Sequence, residues 1–112
     1  MTDFWHGRRV CVTGRHGFLG SHLVAAVQAR GAISVSLCDT SMDTLVHLAA
    51  DTNVQRCAED PCAAFDTNIA GTWRLLERAR HRLRLTRIIV ASSDKAYGTS
   101  AALPYTEETP LH

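Results

Sequence analysis

Apolar positions along the chain fall into runs that alternate between strand-like and helix-like spacing. Apolar residues recur every three to four positions over 18–30 and again over about 61–83, which predicts two helices. Residues 51–59 are polar and are predicted to be irregular, and the chain from Ser92 onward is predicted to be loop. Short, nearly continuous apolar runs predict four strands, at 9–13, 33–38, 45–48 and 87–91. Strands that alternate with helices in this way indicate an α/β fold with a parallel sheet and helices on both faces.

A glycine-rich turn joins the first predicted strand to the first predicted helix. Gly14, Gly17 and Gly20 have GxxGxxG spacing, and the helix is predicted to begin at 18. In a strand–turn–helix unit such glycines permit a tight turn, close approach of the backbone to a pyrophosphate, and close helix packing. The turn is therefore predicted to hold a dinucleotide pyrophosphate, with a purely structural turn as the alternative.

Asp39 follows the second predicted strand, nineteen residues after Gly20. At this distance an acidic residue accepts hydrogen bonds from the adenosine ribose, which favours NAD because a carboxylate repels a 2′-phosphate. A strand-end or helix-capping aspartate is the alternative. Arg15, inside the glycine turn, would instead favour NADP, so the choice of cofactor stays open at this point.

Two further stretches follow the third and fourth predicted strands. The first is His47-Leu48-Ala49-Ala50, in which we interpret His47 as a buried imidazole at a strand end, in preference to a catalytic or metal-binding group. Its two alanines leave room for a cofactor above the sheet. The second is Ser92-Ser93-Asp94-Lys95, at the sheet edge where open α/β folds bind ligands. Its hydroxyls, carboxylate and amine could orient a sugar hydroxyl and move protons, and a capped polar loop is the alternative.

Composition and charge exclude several classes of protein. The chain has 112 residues, enough for one small domain, and its net charge of +1 offers no field for nucleic acid or a membrane surface. No apolar run approaches the ~20 residues of a membrane span, and no signal peptide is recognisable. The four cysteines form no CxxC pair, which predicts reduced thiols and no metal site. We therefore expect a cytoplasmic protein without nucleic-acid or membrane partners.

Four motifs, in this order, resemble those of the extended short-chain dehydrogenase/reductases, the NAD-dependent epimerases and dehydratases of nucleotide sugars. The motifs are Thr13-Gly14-Arg15-His16-Gly17-Phe18-Leu19-Gly20, His47-Leu48-Ala49-Ala50, Thr67-Asn68-Ile69-Ala70-Gly71-Thr72 and Ser92-Ser93-Asp94-Lys95-Ala96-Tyr97-Gly98. The triplet Ser93-Asp94-Lys95 is most similar to the CDP-glucose 4,6-dehydratase branch. The resemblance implies a Rossmann-like sheet, an NAD cofactor with NADP not excluded, and a nucleotide-sugar substrate.

The resemblance also implies roles for individual residues. Ser93 would hydrogen-bond the sugar C4 hydroxyl, Asp94 would be the acid at the C6 leaving group, and Lys95 would assist at C5. In such enzymes NAD takes a hydride from C4, water is eliminated, and the hydride returns to C6. The implied cofactor contacts are Gly14, Arg15, His16, Gly17, Phe18, Leu19, Gly20, Asp39, Leu48, Ala49, Ala50, Asn68 and Ser92.

The chain departs from the family pattern in its catalytic base. The family's base is a tyrosine four residues before a lysine, whereas the only lysine here, Lys95, is preceded at that distance by Ala91. We therefore expect residues 1–112 to be a partial, N-terminal NAD-binding domain without the C-terminal substrate domain, and to be inactive alone. The alternatives are a vestigial, non-catalytic nucleotide-binding module and an interaction subunit, and a homo-oligomer is left open.

A second departure lies between the second and third predicted strands, where only residues 40–44 intervene. A parallel crossover usually needs a dozen or more residues. The chain must return by a strand length of ~17 Å and also move sideways, but five residues reach at most ~18 Å. We therefore expect an internal deletion relative to the family, a displaced or shortened second strand, and weakened contacts to the adenine of NAD.

Overall fold

A parallel sheet of four strands forms the centre of the protein, in a computed structural model that describes residues 2–99 and 103–112. The strand order is β2-β1-β3-β4, and every neighbouring pair is parallel. The strands are β1 (Arg9–Thr13), β2 (Ile33–Ser34), β3 (Thr44–His47) and β4 (Arg87–Val90). The predicted α/β fold with a parallel sheet is confirmed.

The helices are α1 (Phe18–Ala29), α2 (Val54–Glu59), α3 (Pro61–Phe65) and α4 (Gly71–Arg80). A π-helical segment, Asp66–Ala70, joins α3 to α4, and a short 3₁₀ turn spans Asp94–Tyr97. None of the helices in the described part of the chain is long and apolar enough to cross a membrane.

Side-chain caps explain where two of these helices begin. The Asp60 carboxylate accepts a hydrogen bond from the Ala63 N–H at 3.0 Å, so α3 begins where the Asp-Pro pair predicts. The prediction of irregular structure over 51–59 is wrong, because α2 occupies the last six of these nine residues. The Asn53 side chain caps α2 by accepting from the Arg56 N–H at 2.9 Å.

Two apolar cores lie on opposite faces of the sheet. The first contains Val10, Val12, Val24, Val27, Ala32 and Val46. The second contains Cys11, Val35, Met42, Leu45, Leu75 and Ala79. Successive β1 residues enter alternate cores, since side chains of a strand point to opposite faces. Helix α1 therefore covers one face and α4 the other, as predicted.

The second strand is shorter than the predicted 33–38. Only Ile33–Ser34 pairs with β1, and the chain then turns back toward the amino end of β1. There Asp43 accepts a hydrogen bond from the Arg9 N–H at 2.9 Å, and the next residue begins β3. Shortening is one of the two outcomes that the reach of the chain allowed, because a shorter strand needs a shorter return path.

Strand β4 is covered less than the other strands. It pairs with β3, but its side chains Ile88, Ile89 and Val90 remain 43%, 51% and 40% exposed. Within residues 2–99 and 103–112, β4 is therefore an open edge of the sheet, and the expected cover on both faces does not extend to it.

Candidate functional site

The glycine turn leaves no room for side chains at two of its three glycines. Gly14 has a φ of +73°, which side-chain-bearing residues rarely adopt, and a Cβ there would lie 2.9 Å from the Ala49 nitrogen. A Cβ on Gly20 would collide with the Gly14 carbonyl oxygen. A Cβ on Gly17 would have a single neighbour within 4 Å, that same oxygen at 3.3 Å. Packing alone therefore requires glycine at 14 and 20, whereas Gly17 mainly keeps open the space in front of the turn.

Helix α1 begins directly after this turn, with Gly17 as its N-cap. The first intrahelical bond runs from the Ser21 N–H to the Gly17 carbonyl at 3.0 Å. The N–H groups of the first turn have no partner inside the helix, no side chain caps them, and no acidic residue lies among them. The amino end of α1 is therefore able to bind an anion through its N–H groups and the helix dipole.

Three cavities lie along the carboxyl ends of the strands, two of them against the turn, and we call them together the strand-end cleft. The glycine cavity, about 460 Å³, is lined by Gly14, Gly17, Phe18, Leu19, Gly20, Leu48, Ala49, Ala50, Thr52, Ala91 and Ser92. The histidine cavity, about 410 Å³, is lined by His47, Leu48, Ala49, Ala50, Asp51, Thr52, Asn68, Thr72, Ala91, Ser92 and Ser93. The arginine cavity, about 420 Å³, is lined by Cys11, Val12, Thr13, Gly14, Arg15, His16, Gly17, Val35, Ser36 and Leu37.

The cleft brings together most of the predicted cofactor contacts. The glycine and arginine cavities share Gly14 and Gly17, so the turn separates two adjoining compartments. The glycine and histidine cavities share the Leu48-Ala49-Ala50 stretch and Ser92. The small side chains of Ala49 and Ala50 thus lie on the wall of the cleft, where the sequence predicts space for a cofactor.

His47 is 7% exposed and hydrogen-bonds to two threonines. Its Nδ1 lies 2.6 Å from Thr13 Oγ1, and its Nε2 lies 3.1 Å from Thr72 Oγ1. The Thr72 hydroxyl donates to the Asn68 carbonyl at 2.7 Å, so it accepts from His47 Nε2. We therefore assign the neutral imidazole with its proton on Nε2 and with Nδ1 accepting from Thr13. Burial lowers the pKa of His47, which favours this neutral form.

These contacts continue into the wall of the cleft. The Asn68 side chain accepts from the Asp51 N–H at 2.7 Å and donates to the Asp51 carbonyl at 2.9 Å. Thr13 Oγ1 accepts from the Ala49 N–H at 3.2 Å. A single chain of hydrogen bonds thus runs from Ala49 through His47 to Asp51. Asn68 lines the histidine cavity as predicted, but both of its side-chain polar groups are used to hold this loop.

Sequence reasoning missed Thr13 and Thr72 as the partners of His47. Thr13 is the first residue of the first motif, and Thr72 is the last residue of the third. Their position in these motifs was the available signal that they contribute to the site. The π-helical segment contains Asn68 and directly precedes α4, in which Thr72 lies. Segments of this kind are frequent at functional sites, but the shift in hydrogen-bond register leaves no distinct apolar pattern.

Ser92 and Ser93 reach the cleft, whereas Asp94 and Lys95 line none of its three cavities. Ser93 Oγ accepts from the Lys95 N–H at 3.2 Å and so caps the 3₁₀ turn. The side chains of Asp94 and Lys95 are 63% and 89% exposed, and their charged atoms lie 3.9 Å apart. The sequence correctly places this stretch at the carboxyl end of a strand, and its local geometry is that of a capped polar turn.

Asp39 does not lie beside the glycine turn, and its predicted position at the end of a second strand of 33–38 is wrong. Its carboxylate contacts Arg9, at the opposite end of β1, with 2.8 Å between Oδ2 and Nη2. Hydrogen bonds from Ser41 and then Arg9 lower the pKa of Asp39 to about 2. The physical reason is the short β2, after which the chain turns back before Asp39. Arg15 and His16 line the cavity beside the residues that follow β2.

Comparison with known proteins decides the family. The model of the family described as GDP-mannose 4,6 dehydratase matches residues 27–112, which is most of the chain. The chain belongs to the GDP-mannose 4,6-dehydratase family. This confirms the resemblance to NAD-dependent epimerases and dehydratases, and it does so without the glycine turn, which precedes the matched residues.

Individual relatives align with most of this chain. The UDP-glucose 4-epimerase of Mycolicibacterium smegmatis is 29% identical over 93% of this chain and 45% of its own length. The CDP-glucose 4,6-dehydratase of Salmonella typhimurium is 26% identical over 85% of this chain and 37% of its own. The structure of RMD from Pseudomonas aeruginosa complexed with NADPH superposes with a TM-score of 0.73 at 30% identity, covering 94% of this chain and 42% of that one.

The chain spans less than half the length of these relatives. The three alignments cover 45%, 37% and 42% of the relatives' own chains. The alignment with the mycobacterial epimerase extends over 140 positions, more than the 112 residues of this chain. The epimerase therefore carries residues that this chain lacks within the aligned region, which agrees with the expected internal deletion.

Proposed function

We propose that this chain is the dinucleotide-binding part of a nucleotide-sugar 4,6-dehydratase or epimerase. The observation that carries the proposal is the glycine turn. Gly14 and Gly20 are required by their own neighbours, while Gly17 keeps the space in front of α1 open. The unpaired N–H groups at the start of α1 fit a pyrophosphate, and no acidic side chain opposes it there.

The cleft on either side of the turn fits the rest of a dinucleotide. On one side the stretch Leu48-Ala49-Ala50 and Ser92 form a wall of small and apolar groups. The hydrogen bonds of Thr13 and Asn68 to this loop hold it in place. When bound, a nicotinamide dinucleotide supplies the hydride acceptor. The protein's part is to bind its phosphates and to keep the ring beside the sugar.

The sugar would lie in the histidine cavity, which Ser93 lines. There the Ser93 hydroxyl would donate a hydrogen bond to a sugar hydroxyl. Asp94 would donate a proton to the oxygen that leaves from C6, and Lys95 would act beside C5. Support for these roles comes from the position of the triplet at the carboxyl end of β4, where α/β folds bind substrates.

A titration with reduced dinucleotide, followed by nicotinamide fluorescence, tests the proposal. We expect saturable binding that Gly17→Asp abolishes, because a carboxylate would enter the space meant for phosphate. Ala25→Asp adds the same charge to an exposed position of the same helix and should bind as the wild type does. Absence of saturable binding by the wild type, or undiminished binding by Gly17→Asp, would contradict the proposal.

A non-catalytic nucleotide-binding module is the second candidate. The exposure of Asp94 and Lys95, and their absence from the cleft lining, favour it. We expect no sugar turnover by these 112 residues, since the chain has no tyrosine four residues before its single lysine. Incubation with oxidised dinucleotide and CDP-glucose, followed by analysis of the sugar product, tests this expectation. Formation of a 4-keto-6-deoxy sugar would eliminate the non-catalytic module.

A further inference from the structure

A fourth cavity lies beside α4, and we call it the flank cavity. Its volume is about 370 Å³, within the range of about 300–1,000 Å³ that is typical of small-ligand sites. It shares Thr13 and Leu37 with the arginine cavity, but none of the three glycines of the turn lines it. The flank cavity is therefore distinct from the proposed phosphate site. Its lining residues are Thr13, Leu37, His47, Ala49, Asp66, Thr67, Gly71, Arg74, Leu75 and Arg78.

One wall of the flank cavity is formed by the chain that follows the short β2. There the Ser36 carbonyl accepts from the Asp39 N–H at 3.1 Å, so the chain turns back at this point. Arg82 holds the turn against the end of α4, because its Nη2 donates to the Leu37 carbonyl at 3.1 Å. The Leu37 side chain packs on the core that contains Leu75. The cavity thus has a mainly apolar floor between this turn and α4, made of Leu37, Ala49, Gly71 and Leu75.

Three arginines follow one another at four-residue intervals beside this floor, at 74, 78 and 82. Like charges at this spacing on a helix repel each other. Arg74 contacts Asp66, the one acid among the lining residues, at 2.9 Å, and Arg82 is engaged with the Leu37 carbonyl. Arg78, between them, is exposed and forms no ion pair within the described part of the chain. Its positive charge is therefore not compensated by the protein.

We infer that the flank cavity binds a small organic anion, with its acidic group on Arg78 and its apolar body between Leu37, Gly71 and Leu75. A guanidinium binds a carboxylate or a phosphate through paired, charge-assisted hydrogen bonds. The bound charge also offsets the repulsion between Arg78 and the arginines on either side of it. The apolar floor accounts for the preference for an organic anion over an inorganic one. The inference does not depend on the proposed dinucleotide-binding function.

Isothermal titration calorimetry of the intact chain with 2-naphthoate and with 2-naphthyl phosphate tests this inference. Each probe carries two fused rings and one acidic group, so each matches the floor and Arg78 together. We expect saturable binding of at least one of them at a single site. 2-Naphthalenemethanol, which has the same rings without the charge, should bind roughly 10-fold more weakly, the effect of one charge-assisted hydrogen bond.

Two variants assign the binding to the flank cavity. Arg78→Gln should weaken the charged probe roughly 10-fold, to the level of the alcohol. Arg84→Gln is its matched control, since Arg84 is an exposed arginine that does not line the cavity. Gly71→Leu should abolish binding, because a Cβ there meets its nearest atom, the Asp66 oxygen, at 3.5 Å, and a longer side chain extends into the cavity. Urea unfolding should show that this variant stays folded, since leucine favours a helix over glycine.

NADH and the variant Gly17→Asp separate this site from the strand-end cleft. We expect the charged probe to bind equally well with saturating NADH present and to Gly17→Asp. Displacement of the probe by NADH, undiminished binding by Arg78→Gln, or no saturable binding of either naphthyl anion would overturn the inference and leave the proposed function standing. Binding of the probe by a chain that does not bind NADH would support the inference and overturn the proposed function alone.

Discussion

The two ends of β1 are built in different ways. At the carboxyl end, Gly20 packs against Gly14, six residues before it, and Gly14 in turn packs against the backbone of Leu48 and Ala49. At the amino end, Arg9 is held by Asp39 and Asp43, which are thirty and thirty-four residues away in sequence. The contact of Gly20 with Gly14 is therefore insensitive to a shortened connection between β2 and β3, whereas the position of Asp39 depends on it.

Substitution at the carboxyl end should have the largest effect. Gly20→Ala places a methyl group against the Gly14 carbonyl, and we expect a loss of about 3 kcal/mol in the free energy of unfolding. Gly71→Ala is the matched control in α4, because a Cβ there meets its nearest atom, the Asp66 oxygen, at 3.5 Å. It should stabilise the protein by roughly 0.5–1 kcal/mol. Urea unfolding measures both, and a tolerated Gly20→Ala would mean that the turn is not rigid.

A smaller effect is expected where the carboxyl ends of β1 and β3 are joined through His47. Thr13→Val keeps the shape of the side chain but leaves His47 Nδ1 and the Ala49 N–H without their partner. We expect about 1–3 kcal/mol of lost stability, the cost of unpaired buried groups. Thr40→Val, at an exposed position after β2, should be nearly neutral in the same urea titration. Equal effects of the two variants would show that the hydrogen-bond chain contributes nothing.

The contacts at the amino end of β1 should contribute to the free energy of unfolding in a way that is detected mainly by lowering the pH. Hydrogen bonds from Ser41 and Arg9 lower the pKa of Asp39 to about 2. The unfolded chain binds this proton at a higher pH than the folded chain, so this stability is complete above about pH 4 and is lost toward pH 2. Asp39→Asn should flatten the decline in unfolding free energy over this range. An unchanged slope would mean that the ion pair with Arg9 is not formed in solution.

The local parts of the fold were predictable from the sequence. β1, the glycine turn and α1 follow from apolar spacing and glycine positions between 9 and 30, and the two cores follow from alternation along β1. The shortened β2 was predictable too, because the reach of five residues is a matter of length. The buried, hydrogen-bonded His47 also agrees with the sequence interpretation.

The parts that failed depend on contacts distant in sequence or on weak local signals. Asp39 stands at the expected spacing from Gly20, but its position is decided by Arg9 and Ser41. Helix α2 has only one turn and a half, and its main signal is the Asn53 cap, which a polar composition concealed. The cleft residues Ser92 and Ser93 were placed correctly because they follow a strand, but the outward position of Asp94 and Lys95 depends on the 3₁₀ turn.

The unequal edges of the sheet have a consequence for handling the protein at high concentration. β2 offers two residues to an approaching chain, too few to template a further strand, whereas β4 offers four, three of them large and apolar. Arg87, which begins β4, is the one charged residue of the strand, and the three apolar residues follow it without interruption. Fibrillar or amorphous aggregation should therefore begin by strand addition at β4, and charged substitutions at Ile89 should suppress it.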